Sequence, residues 1–306
     1  MEKFPNTRQE RPPGIEDVFE DRNEAEVMLW AYKEANMILD RDSIKPEEFS
    51  DIYSQKLLEE CEQYVNKREE IFNKDEITDP KLMRAEAFGK TLEGIFHHQI
   101  NAGIFGENIR GVSTAKYDDY HAGIDEVIEG RNPEGTSYVG CSLDLTFGHP
   151  EHKMQQIVNS IKGGTLNEVL FYKSPFGEKP YFKGKLQGIP KVVVGMDAAH
   201  VLKLSRQWQN QDSEALKNNQ IFLVLLQQIQ KQAEIYSYIA NLLHKKEISI
   251  RYEQLHNFIN TLYTEQKRAR KIDMLDRDAT SDTVNQEIVA QTNKIFIDSK
   301  KLATHL

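Results

Sequence analysis

Two aspartates, Asp125 and Asp144, stand in neighbouring extended segments of this chain of 306 residues, where paired carboxylates can hold a divalent cation. In the segment Val139-Gly140-Cys141-Ser142-Leu143-Asp144-Leu145-Thr146-Phe147, the apolar side chains Val139, Cys141, Leu143, Leu145 and Phe147 share one face. Asp144 and Thr146 share the other, which is the period of a strand. Residues 131–136, with Pro133 and Gly135, offer the backbone angles of a reversal, so residues 120–129 and 137–147 are expected to pair antiparallel and bring Asp125 towards Asp144. Asp is disfavoured inside strands, which marks Asp144 as functional. Asp125 follows Gly123 and reads either as a strand-end ligand or as a turn aspartate bonding nearby backbone.

The elements that must position these residues are legible from periodicity and punctuation. Residues 1–14 end in Arg11-Pro12-Pro13-Gly14 and read as a flexible terminus. Residues 15–78 form an acidic helical region, with helices over 15–40 and 46–74. A third helix is expected over 79–102, stopped by Gly103 and Gly106. After the strand pair, Pro150 opens a helix closed by Gly163-Gly164, and strands follow over 168–173 and 191–196. Residues 174–185 between them read as a loop or edge hairpin. Asp197 caps a helix containing Val201, Leu204 and Trp208. Residues 211–306 are helical in pattern, with a stripe through Ile221, Leu225, Gln228, Ile229, Gln232, Tyr236, Ile239 and Leu243 that serves a core or self-association.

The order helix, strand, strand, strand, helix, strand carries Glu93 in Gly89-Lys90-Thr91-Leu92-Glu93, Asp125 in Gly123-Ile124-Asp125 and Asp144 in Leu143-Asp144-Leu145-Thr146. In this, residues 79–210 resemble the PD-(D/E)XK, or restriction-endonuclease-like, nuclease superfamily. The resemblance implies an α/β fold, a mixed α+β sheet forming a restriction-endonuclease-like core with helical N- and C-terminal regions. It implies a Mg²⁺ or Mn²⁺ site on Asp125 and Asp144, with Glu93 completing the shell directly or through water and the Leu145 carbonyl adding an oxygen. It implies a nuclease acting on DNA. The family's lysine steadies the attacking water, and Thr146 stands in its place here. Lys153, expected in the first turn of the next helix, and Lys116, expected on the first strand, are the candidates to supply that cation. The alternative is a nuclease-fold module without catalysis that binds nucleic acid or assembles with other proteins.

Other groups weigh less. Asp118 and Asp119 either join the site or face solvent from a first strand. The adjacent His97 and His98 point about 100° apart on a helix and do not make a joint metal site. Cys61 and Cys141 fall in a helix and a strand core, so neither a disulfide nor a zinc framework is expected. No phosphate-loop lysine pattern and no Gly-x-Ser-x-Gly motif occurs, which argues against ATPase and covalent hydrolase chemistry.

The net charge of −9 is unevenly spread: residues 1–149 hold 17 basic and 32 acidic side chains, residues 150–206 hold 9 and 4, and residues 207–306 hold 13 and 12. The basic middle is the segment expected to meet phosphates. No apolar run approaches the roughly 20 residues that span a bilayer, and Met1-Glu2-Lys3-Phe4 opens no secretory leader, so a cytoplasmic chain is expected.

Overall fold

The computed structural model describes residues 18–19, 21–76, 79–131, 137–176 and 182–303. The expected terminus 1–14 and the turn over 132–136 lie outside the described residues.

Asp21 accepts from the backbone N–H of Asn23 and Glu24 and starts α1 (Arg22–Asp42). A 3₁₀ turn at Pro46–Phe49 then leads to α2 (Gln55–Glu76). The expected single helix over 46–74 is therefore broken, because Phe49 is fully buried and the turn that follows carries the chain around it. Asp79, with Pro80 at the first helical position, caps α3 (Pro80–Asn101). Helices α1 and α3 meet at Gly94, where an added Cβ would stand 2.4 Å from that of Ala35. The missing side chain allows the close approach that fixes α3, and with it Glu93.

Next come β1 (Ile109–Ser113), α4 (Lys116–Ala122), β2 (Glu126–Arg131) and β3 (Ser137–Thr146). They are followed by α5 (Glu151–Gly163), β4 (Asn167–Lys173), β5 (Lys183–Ile189) and β6 (Lys191–Gly195). The main sheet has the order β1-β2-β3-β6, with β1, β2 and β3 antiparallel and β6 parallel to β3. The parallel pair requires a crossover, which α5 and the antiparallel β4–β5 pair provide. The chain is thus a mixed α+β protein, mostly helical, with a small mixed sheet.

Alternation in the central strands divides the interior. Ile128, Cys141, Leu143 and Leu145 join a large core with α1, α3, α5 and β6. Val127 joins a smaller one with Phe49, Val112, Ile124, Val169 and Phe171. Both faces of the sheet are covered, so the polar row of β3 is buried as well: Asp144 is 5% exposed and Thr146 7%.

After β6 the chain continues through α6 (Ala198–Gln209), α7 (Ser213–Asn218), α8 (Ile221–Leu242), α9 (Lys246–Ala269), α10 (Arg277–Thr280) and α11 (Thr283–Ala303). Helix α8 lies along the outer edge of β6. Gln232 accepts from the Val193 N–H at 3.0 Å and donates to the Val193 carbonyl at 2.6 Å. Gln228 makes the same exchange with Gly195, both bonds 3.0 Å. The Tyr252 hydroxyl does so with Lys191, at 3.3 and 3.0 Å. Two glutamines one turn apart and a tyrosine from α9 therefore stand in for a fifth strand and satisfy an edge that would otherwise invite another chain. The stripe read from the sequence is spent inside the molecule, since Ile221, Leu225, Ile229, Tyr236 and Ile239 are all buried.

One expected element is replaced. Lys116 to Tyr120 form not a strand but the start of α4, which ends at Gly123 in the left-handed conformation (φ 61°). Glycine there is the common helix stop.

Candidate functional site

Asp125 lies one residue before β2, and Asp144 lies two residues before the end of β3. The Asp125 carboxylate accepts the Leu145 N–H at 2.6 Å, while the Asp125 N–H donates to the Leu143 carbonyl at 2.9 Å. The two aspartates are thereby held side by side, as the hairpin required.

Around Asp144 the site is built from lysines. Lys153, in the first turn of α5, places its Nζ 2.5 Å from Asp144 Oδ1 and 3.3 Å from the Leu145 carbonyl. Lys191, the first residue of β6, places its Nζ 3.0 Å from Asp144 Oδ2 and 2.8 Å from the Ala122 carbonyl. Gly123 is pressed against this pair: a Cβ there would stand 2.9 Å from Lys191 Nζ and 3.4 Å from Asp144 Oδ2. A side chain at 123 would strain the left-handed backbone and also intrude on the site.

Glu93 faces the same cluster from α3 and is paired with Lys90 at 2.6 Å. Asp119, on α4, accepts a hydrogen bond from Asp125. Four carboxylates, Glu93, Asp119, Asp125 and Asp144, are thus set against three ammonium groups in a cluster where Asp144 and Lys191 are buried and the others half-buried. Burial raises the pKa of Asp125 well above its ordinary value, and the charges of Glu93, Asp119 and Asp144 raise it further. Burial also raises Asp119 and Glu93, with Lys90 pulling both down. For Lys90 and Lys153, burial acts to lower the pKa, but the carboxylates outweigh it and both amines are raised. Asp125 donates to Asp119, and of the three raised carboxyls it is the one pushed well above its ordinary value.

Hard oxygen donors crowded until one of them must keep a proton suit Mg²⁺ or Mn²⁺, which would relieve the repulsion. Glu93, Asp125 and Asp144 do not close into a ready cage, however. Among the described residues, the group of three or more such ligands lying within 4.8 Å of one another is Asp197, His200 and Asp282. At the aspartate pair, the Lys153 ammonium sits between Asp144 Oδ1 and the Leu145 carbonyl, two of the oxygens expected to hold the metal.

A pocket of about 290 Å³ opens onto the lysines, walled by His121, Gln156, Ser160, Thr165 and Tyr252 as well as Lys153 and Lys191. It supplies a polar approach to Asp144 from the side of α5.

Of the residues expected from sequence, Glu93, Asp125, Asp144 and Lys153 gather here. Lys116 does not: it is exposed at the start of α4 and pairs with Glu69 at 2.7 Å. Asp118 is not solvated. It is 2% exposed, accepts the Leu170 and Phe171 N–H groups at 2.7 and 3.1 Å, and its pKa is pushed up by burial to about 6. Sequence reasoning missed Lys191 and Lys90. Lys90 could have been found from its position three residues before Glu93 on one helix, whereas a lysine opening a strand gives no such signal. Thr146 donates to the Gly148 carbonyl at 2.5 Å and takes no part in the carboxylate cluster.

Several lysines of the basic middle segment are engaged in surface ion pairs. Lys173 pairs with Glu48 at 3.0 Å, Lys183 with Asp51 at 2.6 Å and Lys185 with Glu168 at 2.8 Å. Much of its excess charge answers acids, including those of the N-terminal region.

The Asp197, His200 and Asp282 group is a clasp between two helix starts. Asp197 caps α6 through the His200 N–H, and Asp282 caps α11 through the Asn285 N–H at 2.7 Å. Each also accepts from the other's neighbourhood: Asp282 from the Asp197 N–H at 2.7 Å, and Asp197 from the Thr283 N–H at 2.9 Å. His200 Nδ1 lies 2.8 Å from Asp197 and 3.1 Å from Asp282, and Nε2 lies 3.0 Å from the Asp278 carbonyl. Bonds to Asp282 and Asp197 raise His200 to about 9, so both ring nitrogens carry protons and act as donors. The three ligand atoms of the group lie close enough together to hold a metal ion as well.

His97 and His98 diverge as expected. His97 lies 2.9 Å from buried Glu126, while His98 packs against Trp208. Cys61 and Cys141 are free and buried, and burial raises both thiols, Cys61 to about 11. No helix is long and apolar enough to cross a membrane among the described residues.

No protein-family model, curated protein or solved structure matches the chain.

Proposed function

We propose that the chain is a metal-dependent phosphodiester hydrolase with a restriction-endonuclease-like core, acting on DNA. The observation that carries this reading is the meeting of Asp125 and Asp144 with a lysine amine from a different element from the one that usually supplies it. Lys153 reaches Asp144 from α5 and stands where Thr146 cannot serve. The order α3, β1, β2, β3, α5, β6 and the parallel β3–β6 pair are consistent with that core, with α4 and the β4–β5 pair as insertions.

Asp125, Asp144 and the Leu145 carbonyl would hold Mg²⁺ or Mn²⁺, with Glu93 at the margin. The bound ion would supply charge neutralisation at the scissile phosphate and a more acidic water. The chain's own groups do the rest. Asp125 would release its proton on metal binding, and Lys153, beside Asp144 Oδ1 and the Leu145 carbonyl, would supply the cation that steadies the attacking oxygen. Lys191 stays on Asp144 Oδ2, anchored by the Ala122 carbonyl, and keeps the carboxylate oriented.

The test is cleavage of supercoiled and single-stranded DNA with Mn²⁺ by the wild type and by Asp144→Ala and Lys153→Met. Cleavage lost in both variants supports the assignment; cleavage that survives Asp144→Ala removes it.

A second reading rests on one observation. Both Asp144 oxygens are already occupied by ammonium groups, so the lysines could replace the metal permanently and leave a folded module without catalysis. Wild-type protein that binds no Mn²⁺ with or without DNA would favour it.

A further inference from the structure

Both tryptophans of the chain line one cavity of about 400 Å³, between α1, the end of α3, and α6 and α7. Trp208 is buried, held edge-to-face by Trp30 at 5.4 Å and covered by the tilted His98 ring at 5.7 Å. Trp30 is half-buried and gives the cavity its accessible aromatic surface. One turn further along α1, Glu34 brings a carboxylate to the same wall, and it makes no ion pair among the described residues.

Gln99 Nε2 donates to His98 Nδ1 at 3.0 Å. Burial and the neighbouring His97 lower the pKa of His98 and keep the ring neutral. An amide nitrogen can only donate, so Nδ1 is the acceptor and the ring proton is fixed on Nε2. Exposed Lys217 stands at the mouth. The cavity therefore offers an indole plate, the Glu34 carboxylate as an acceptor, the His98 ring as a donor, further polar groups on Gln211 and Ser213, and a mobile cation at the entrance.

We propose that this cavity binds a nucleotide, its base stacked on Trp30 with its polar edge between Glu34 and His98, and its phosphate at Lys217. Base edges carry donors and acceptors together, and any base presents a face to an aromatic ring. An organic cation, the other ligand that indoles attract, is served poorly by a fixed N–H donor and a lysine at the mouth. The volume lies within the range of small-ligand sites. The cavity is separate from the carboxylate cluster: His98 is five residues beyond Glu93, about 140° around α3 and about 7.5 Å along it. The inference does not depend on the metal reading.

Since both tryptophans lie in the cavity, intrinsic fluorescence reports on it directly. The wild type is titrated without metal against adenosine, guanosine, cytidine and uridine monophosphates, a short single-stranded oligonucleotide, and tetramethylammonium. Saturable quenching by nucleotides is expected, weakened at least tenfold in Trp30→Leu, with folding checked by circular dichroism. In Lys217→Ala, an exposed position that tolerates change, a nucleoside and its monophosphate are expected to bind equally well. Tighter binding of the oligonucleotide identifies an unpaired base within a strand as the occupant, and tighter binding of a mononucleotide identifies the free form. Quenching by tetramethylammonium alone, no saturable quenching, or isotherms unchanged in both variants would overturn the proposal.

Discussion

Lys153 Nζ bridges Asp144 Oδ1 at 2.5 Å and the Leu145 carbonyl, two of the oxygens that hold the divalent ion in the proposed reading. In that reading amine and metal compete. Lys153→Met should bind Mn²⁺ more tightly than the wild type, by about tenfold, since one elementary charge leaves the site, while DNA cleavage falls by a factor of about 100 or more. Calorimetry and a cleavage assay on the same preparation check both directions. Equal losses of affinity and cleavage would mean that Lys153 builds the site rather than competing for it.

Asp125 gives the second prediction. Its folded pKa is raised by burial and by Glu93, Asp119 and Asp144, so its contribution is favourable at low pH and is lost as pH rises through the folded value. Asp125→Asn keeps an oxygen for the Leu145 N–H and removes the penalty of ionisation. In chelator at pH 8 the variant should melt a few degrees above the wild type. Mn²⁺ should raise the melting temperature of the wild type and leave the variant unmoved. A variant that melts lower in chelator would show that the carboxyl is not under electrostatic stress.

The antiparallel β2–β3 pair and the placing of Asp144 beside Asp125 were legible because they rest on strong local signals. Alternation from Cys141 to Leu145 placed Asp144, and Asp197 announced α6. Lys116-Tyr117-Asp118-Asp119-Tyr120 misled because a helix of seven residues is too short to display a period. Its true signals were the acidic first turn, His121 in the last turn and Gly123 beyond it. Lys191 and the glutamines of α8 were illegible for a different reason. Lys191 meets Asp144, 47 residues away, only through the parallel β3–β6 pairing, and Gln232 and Gln228 meet the backbone of Val193 and Gly195, 39 and 33 residues away, only through the packing of α8 against β6.

The clasp on α11 predicts an alkaline weakness. His200 is raised to about 9 from 6.5 by Asp282 and Asp197, so its stabilisation is complete below about pH 6.5 and disappears as pH rises through about 9. Denaturant midpoints of the wild type should decline over that window, and His200→Gln should flatten the decline. A wild-type slope retained in the variant would assign the pH dependence elsewhere.

Gln232 provides a prediction independent of function. Replacing it with methionine keeps the volume but strands the buried Val193 N–H and carbonyl, a loss of about 2–4 kcal/mol in urea unfolding. Gln227→Met, five residues earlier on the exposed side of α8, should cost under about 1 kcal/mol. Similar losses in both would deny the edge-capping role.

Mn²⁺ calorimetry on the wild type, Asp125→Ala and Asp144→Ala, repeated in two buffers of different ionisation enthalpy, tests the metal site most directly. Binding should release about one proton from the wild type, drawn from Asp125, and should vanish in both variants. Binding that persists in either variant, or a wild type that takes up no Mn²⁺ even with DNA present, would contradict the account.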